Sequence, residues 1–245
     1  MKPPTPIMAL IEIPLSYALI QVGLRWPRVG EGILLFWGGG RVAHKVAILM
    51  DGGFVKKKLY QKHNRFPTVQ DITGLSQNIM QNPLLKGKEL LRVYFYDAPP
   101  YEGTVVNPMD RTRTNYSATQ QATQNLNLLR NLELQPNFAV RRGLLKSSGW
   151  KLGKRALQAL SQNPRPLVAN DLVPDLKQKG VDMRIGLDIA WLSIKRIVES
   201  VVLITGDSDF VPAMKVSRKE GIIVYLETLG HPVFNELKVH ADIVL

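Results

Sequence analysis

Four aspartates carry the chemical interest of this 245-residue chain. Asp51 follows the apolar run Val46 to Met50, and Asp207 and Asp209 follow Val201 to Thr205. Asp182 opens a long helical pattern just ahead of the second run. Carboxylates gathered in one place repel: two charges 4 Å apart cost about 4 kcal/mol at an effective dielectric near 20. Such a cluster is stable only with protonation, cationic neighbours or a bound dication. A dication held there would lower the pKa of a water and neutralise charge on an in-line phosphoryl transition state, which is what phosphodiester hydrolysis requires. The chain has no cysteine, which excludes disulfides, zinc ribbons, Fe–S clusters and thiol nucleophiles. Its four histidines, His44, His63, His231 and His240, are scattered without H-E-x-x-H spacing. A metal would therefore be held by oxygen, which points to Mg²⁺ or Mn²⁺.

Each aspartate also has a bland reading. Asp51 alone could be a turn residue, Asp207 an N-cap, and Asp182 and Asp209 early acidic residues that suit a helix dipole. The coincidence at two strand ends gives the chemical reading its weight. Asp188 lies six residues past Asp182, about 120° round the helix, and could instead pair with Arg184 four residues earlier.

The elements that would position these groups are legible as short apolar runs. Val46 to Met50, Leu91 to Tyr96, Val201 to Thr205 and Ile222 to Leu226 read as buried parallel strands, with Ile243 to Leu245 as a further one. Helical patterns span Val69 to Gln81, Thr119 to Leu132, Val181 to Val198 and Phe210 to Lys219, with Gly221 at a C-cap position. In the Val181 helix, Met183, Leu187, Ala190, Ile194 and Ile197 share one face, the expected core stripe. The alternation predicts an α/β fold: a doubly wound, mainly parallel sheet with helices on both faces. Ligands of such sheets bind at the carboxyl ends of the strands, where Asp51, Asp207 and Asp209 fall.

The net charge is +12, from 32 Lys and Arg against 20 Asp and Glu. That excess suits a protein that sits on a polyanion. Residues 99–177 interrupt the strand-helix alternation as a basic insertion, with eleven Lys and Arg against five Asp and Glu. Between Arg141 and Arg155 there are six basic residues, no acidic one, and Trp150. Arg141, Arg142, Lys146, Lys151 and a stacking Trp150 would suit a single strand of nucleic acid. A solvated surface hairpin with Trp150 packed on the core is an equal alternative. Residues 1–43 do not match this pattern: Met8 to Leu24 is apolar but interrupted by Glu12 and Pro14, and shorter than the roughly 20 residues that span a bilayer. We expect a non-native or disordered extension there, a working domain over 44–245, no membrane partner and a cytoplasmic location.

The blocks VAILMDGGF, KGVDMRIGLDIAWLSIKR and VVLITGDSDFVPAMKVSRKEGIIVYL together resemble the bacterial NYN domain, a branch of the PIN-like nuclease superfamily. YFYDAPPYE, around Asp97, and HPVFNELKVHAD extend the resemblance, which is weakest in the insertion. It implies a metal-dependent ribonuclease, endonucleolytic in action, with RNA as partner and homo-oligomerisation open. By that resemblance Asp51, Asp182, Asp207 and Asp209 are the catalytic and metal-binding set, with Asp188 a weaker ligand. Thr205 or Ser208 would orient a carboxylate or water, and Lys179 would meet a phosphate. Many members carry an asparagine shortly after the first aspartate, where this chain has Gly53 and Phe54.

Two other classes compete. A catalytically weak regulator of the same fold could bind RNA or protein, though a pure binder has no use for four repelling carboxylates. A phosphatase resembling the haloacid dehalogenase class would need an aspartate two residues after Asp51, where Gly53 stands. No G-x-x-x-x-G-K-[ST] loop is present for a P-loop enzyme.

Overall fold

The central sheet has six strands, all parallel: β1 (His44–Asp51), β2 (Lys88–Asp97), β5 (Phe138–Arg142), β8 (Ser200–Ile204), β9 (Ile223–Glu227) and β10 (Ile243–Val244). The computed structural model of the chain describes residues 44–245. The expectations for residues 1–43 lie outside them. Two antiparallel hairpins stand apart from the sheet, β3 (Thr104–Val106) with β4 (Arg113–Asn115), and β6 (Leu144–Leu152) with β7 (Leu172–Lys179). The helices are α1 (Gly52–His63), α2 (Val69–Met80), α3 (Gln120–Glu133), α4 (Lys154–Gln162), α5 (Val181–Ile194), α6 (Val211–Lys219) and α7 (Asn235–Val239). No described helix is long and apolar enough to cross a membrane.

Alternate strand residues point to opposite faces, so each strand feeds two cores. Ala47, Leu49, Tyr94, Tyr96, Val201 and Leu203 pack against α5, α6 and α7. Val46, Ile48, Met50, Val93, Phe95 and Val202 pack against α1, α2 and α3. Burial on both faces explains why these strands read as continuous apolar runs. The strand order β10-β9-β8-β1-β2-β5 fixes where a ligand belongs. From β1 the chain builds outward through β2 to β5, then returns to the other side of β1 and builds outward again from β8. The winding direction reverses between β1 and β8, and the crevice at such a switch point is the usual ligand site.

Three expectations need correction. The core stripe of α5 is Val181, Ile185, Ile189 and Leu192, all buried, whereas Met183, Leu187 and Ile194 are exposed. The helix is apolar on both sides, so periodicity left its phase ambiguous. The segment 99–177 is not wholly outside the sheet: α3 and β5 continue the winding within it. β5, with the sequence FAVRR, is an edge strand with three half-buried residues and two exposed arginines, so it lacks the apolar run of its neighbours. Helix α1 was not foreseen, because its glycine pair is unfavourable in a helix and its buried side chains, Val55 and Leu59, are too few to show a periodic stripe.

Candidate active site

Asp51 ends β1 and caps α1. Its Oδ1 accepts the Phe54 backbone N–H at 3.2 Å, and its Oδ2 accepts the Thr205 hydroxyl at 3.3 Å. Thr205 is fully buried just beyond β8, and its Oγ1 also accepts the Asp207 N–H at 3.1 Å. Asp207 Oδ1 in turn accepts the Asp209 N–H at 3.0 Å as the cap of a short 3₁₀ turn. One hydroxyl thus ties the ends of two adjacent strands together. The chain leaves β1 through Gly52, where a Cβ would lie 2.5 Å from the Tyr96 carbonyl oxygen, so only glycine lets α1 start this close to β2.

Asp182 sits in the first turn of α5, and its N-terminus reaches the same rim. Burial raises the Asp182 carboxyl above the usual range, and the charges of Asp207 and Asp209 push it further. Asp51 is also raised, by burial first and by Asp182 among lesser causes, against the hydrogen bonds from Phe54 and Thr205. Asp182 thus feels the charges of Asp207 and Asp209, and Asp51 feels that of Asp182. Among the described residues, however, no three His, Asp or Glu side chains close into a preformed metal cage. The donor set is all oxygen and electrostatically strained, which fits a hard dication in chemistry.

Asp188 is placed elsewhere. It accepts the Tyr96 hydroxyl at 2.9 Å and pairs with Arg141 at 3.0 and 3.3 Å, and it is not among the charges acting on Asp51 or Asp182. Nor does it pair with Arg184, whose guanidinium donates to the Gly180 carbonyl. Ser208 lines the cavity of about 340 Å³ beside Asp51 and Asp207, with Lys57, His231 and Phe234 on its other walls.

The basic residues of β5 and the second hairpin divide. Arg141 is held by Asp188, Arg142 by Glu133 and Lys151 by Asp175. Lys146 and Lys179 are exposed and form no ion pair among the described residues. Trp150 is half-buried on the hairpin. The cations nearest Asp51 in the chain lie in α1. Lys56 turns inward to Asp97 and donates to Asn125 at 2.9 Å. Lys58 donates to His231 Nδ1 at 2.9 Å. Lys57, exposed between them, looks into the cavity. The consecutive lysines one turn past Asp51 were the available signal.

Residues 114–242, more than half of the chain, match the NYN domain. The chain belongs to the NYN domain family. NYN domains are PIN-like nucleases, and membership supports a ribonuclease-type function, commonly with divalent metal. The match includes Asp182, Asp207 and Asp209. Asp51 lies ahead of it and is joined to this NYN domain by the sheet, through Thr205. No curated protein matches the chain. A crystal structure of a protein of unknown function from Vibrio parahaemolyticus is similar at 16% identity, over 83% of this chain and 92% of that one, with a TM-score of 0.46.

Proposed function

We propose that the chain is a metal-dependent endoribonuclease whose working unit is residues 44–245. The observation that carries this reading is the position of Asp51, Asp182, Asp207 and Asp209 around the switch-point crevice, with Asp51 and Asp182 both pushed toward protonation. Asp51, Asp182, Asp207 and Asp209 would hold Mg²⁺ or Mn²⁺. The ion, when bound, supplies an acidified water and charge neutralisation at the phosphate. The chain's own groups do the rest. Thr205 fixes the orientation of the Asp51 carboxylate. Lys57, on the cavity wall, and Lys179, four residues before the Met183 turn of α5, supply positive charge for the phosphates of the strand. Asp188 keeps a positioning role, binding α5 to β2 and β5 through Tyr96 and Arg141.

The open arrangement of the carboxylates favours a second reading, a catalytically weak RNA-binding regulator. The two are separated by incubating a labelled RNA pool with the whole chain, with Mn²⁺ or with EDTA. Metal-dependent cleavage supports the nuclease. RNA retained but uncut in Mn²⁺ supports the regulator.

A further inference from the structure

A series of neighbouring cavities lies beside the aspartate cavity, walled by α1, α3 and, at the second of them, the β6–β7 hairpin. The cavity beside Asp51 shares Lys57 with a neighbour of about 400 Å³, lined by Tyr60, Phe66, Tyr101, Tyr116, Asn125 and Gln178. That neighbour shares Tyr60, Phe66 and Gln121 with a third cavity, which in turn shares Phe66 and Gln124 with a fourth that ends beside Asn127 and Asn131. Each of the four cavities thus shares lining residues with the next, in a series that leads away from the candidate active site.

The walls of this path have a particular chemistry. Tyr60 is 52% exposed and Tyr101 and Tyr116 are half-buried, while Phe66 packs in part against the core. Tyr101 and Tyr116 already meet edge to face, 6.4 Å apart. Gly103 lets the Tyr101 ring approach the backbone, since a Cβ there would fall 2.5 Å from its Cζ and hydroxyl oxygen. The groove side of α3 offers amides: Gln121, Gln124, Asn127 and Asn131. From Gln120 to Asn131 the helix has no acidic residue. Beyond the aspartate cavity, the one carboxylate among the described residues of these walls is Asp97, buried and paired with Lys56. Aromatic faces and amides without negative charge are what unpaired bases need: stacking for the rings, donors and acceptors for their edges. Lys57, at the junction of the first two cavities, can meet the phosphate between them.

We propose that this groove binds a single strand of RNA through its bases, with the strand running from the aspartates past Tyr101 and Tyr116 toward Asn131. The inference rests on the ribonuclease reading and adds the surface that holds the strand, one a duplex would not use, since its bases stay stacked on one another. It also centres the binding surface on the aromatic groove rather than on Arg141, Arg142 and Lys151, which are already engaged by carboxylates.

The test uses the full chain in EDTA with a single-stranded oligoribonucleotide that carries 4-thiouridine along its length. Irradiation followed by peptide mapping should place adducts on Tyr60, Phe66, Tyr101 or Tyr116. Adducts confined to the hairpin around Trp150 would overturn the proposal, and so would none at all, which would leave the groove to a peptide partner. In parallel, Tyr60→Ala and Tyr101→Ala should each weaken binding of the single strand by about tenfold, with duplex binding unchanged. Groove adducts without metal-dependent cleavage would sink the nuclease and keep the groove. Cleavage with adducts elsewhere would do the reverse.

Discussion

Thr205 Oγ1 lies 3.3 Å from Asp51 Oδ2 and donates to it, although 154 residues separate the two in the chain. The same oxygen accepts the Asp207 amide, so the hydroxyl couples both carboxylate-bearing loops. Thr205→Val keeps the shape but leaves the part-buried Asp207 amide without its acceptor and the Asp51 carboxylate without its donor, at a cost of about 1 kcal/mol. We expect a lower Tm and at least tenfold slower RNA cleavage, with Thr205→Ser restoring most of both. Equal cleavage by the valine and serine variants would remove Thr205 from the site.

Asp51 gives a prediction with a definite sign. Its carboxyl is raised in the fold, mainly by burial, so between the ordinary value of 3.8 and its higher folded value the native state binds the extra proton. Stability then falls as pH rises through that window, and the full cost remains above it. Asp51→Asn removes the charge but keeps a residue that caps helices well. In EDTA at pH 7 it should melt higher than the wild type, and the gain should vanish at pH values below 3.8. Asp51→Ala loses the cap, worth about 1 kcal/mol, and should melt lower than the asparagine variant. Mn²⁺ should raise the wild-type Tm more than that of Asp51→Asn, because a ligand stabilises only the state that binds it. An identical Mn²⁺ shift in both would place any metal elsewhere.

Lys56 and Asp97 form a buried pair beneath the proposed groove. Burial raises the Asp97 carboxyl despite the adjacent ammonium, so the pair is under strain. Removing one partner leaves the other charge uncompensated, at roughly 3–5 kcal/mol. Asp97→Ala should therefore unfold at a clearly lower urea concentration. A midpoint within error of the wild type would mean that water reaches the pair.

Much of this architecture was legible in the sequence. β1, β2, β8 and β9 are buried on both faces and could hardly be misread, and with them came the strand-end positions of Asp51, Asp207 and Asp209. What escaped depended on contacts distant in the chain. The buried face of α5 could not be chosen when Met183, Leu187 and Ile194 made as good a stripe as Ile185, Ile189 and Leu192. Nor could Arg141 be seen to meet Asp188, because 47 residues and an edge strand separate them. The groove was invisible for the same reason: Tyr60, Tyr101 and Tyr116 come from three segments that only the fold brings together.

Gly53 stands where many NYN domains carry an asparagine nearby. A Cβ there would lie 3.4 Å from Asp51 Oδ1 and 4.0 Å from Gln178 Oε1, which is ordinary contact. Gly53→Asn should therefore fold normally and melt no lower, since glycine is a poor helix residue. If the missing amide limits the chemistry, this variant should cut RNA faster than the wild type. A marked fall in Tm would show that the site has closed around the glycine.

The central claim is that Asp207 and its neighbours perform metal-dependent cleavage. The most direct measurement is the rate at which the full chain cuts a labelled single-stranded RNA in Mn²⁺, compared with Asp207→Asn at the same RNA occupancy. We predict loss of at least a hundredfold in cleavage, with RNA binding retained or tightened by the lost negative charge. Undiminished cleavage by Asp207→Asn would contradict the account.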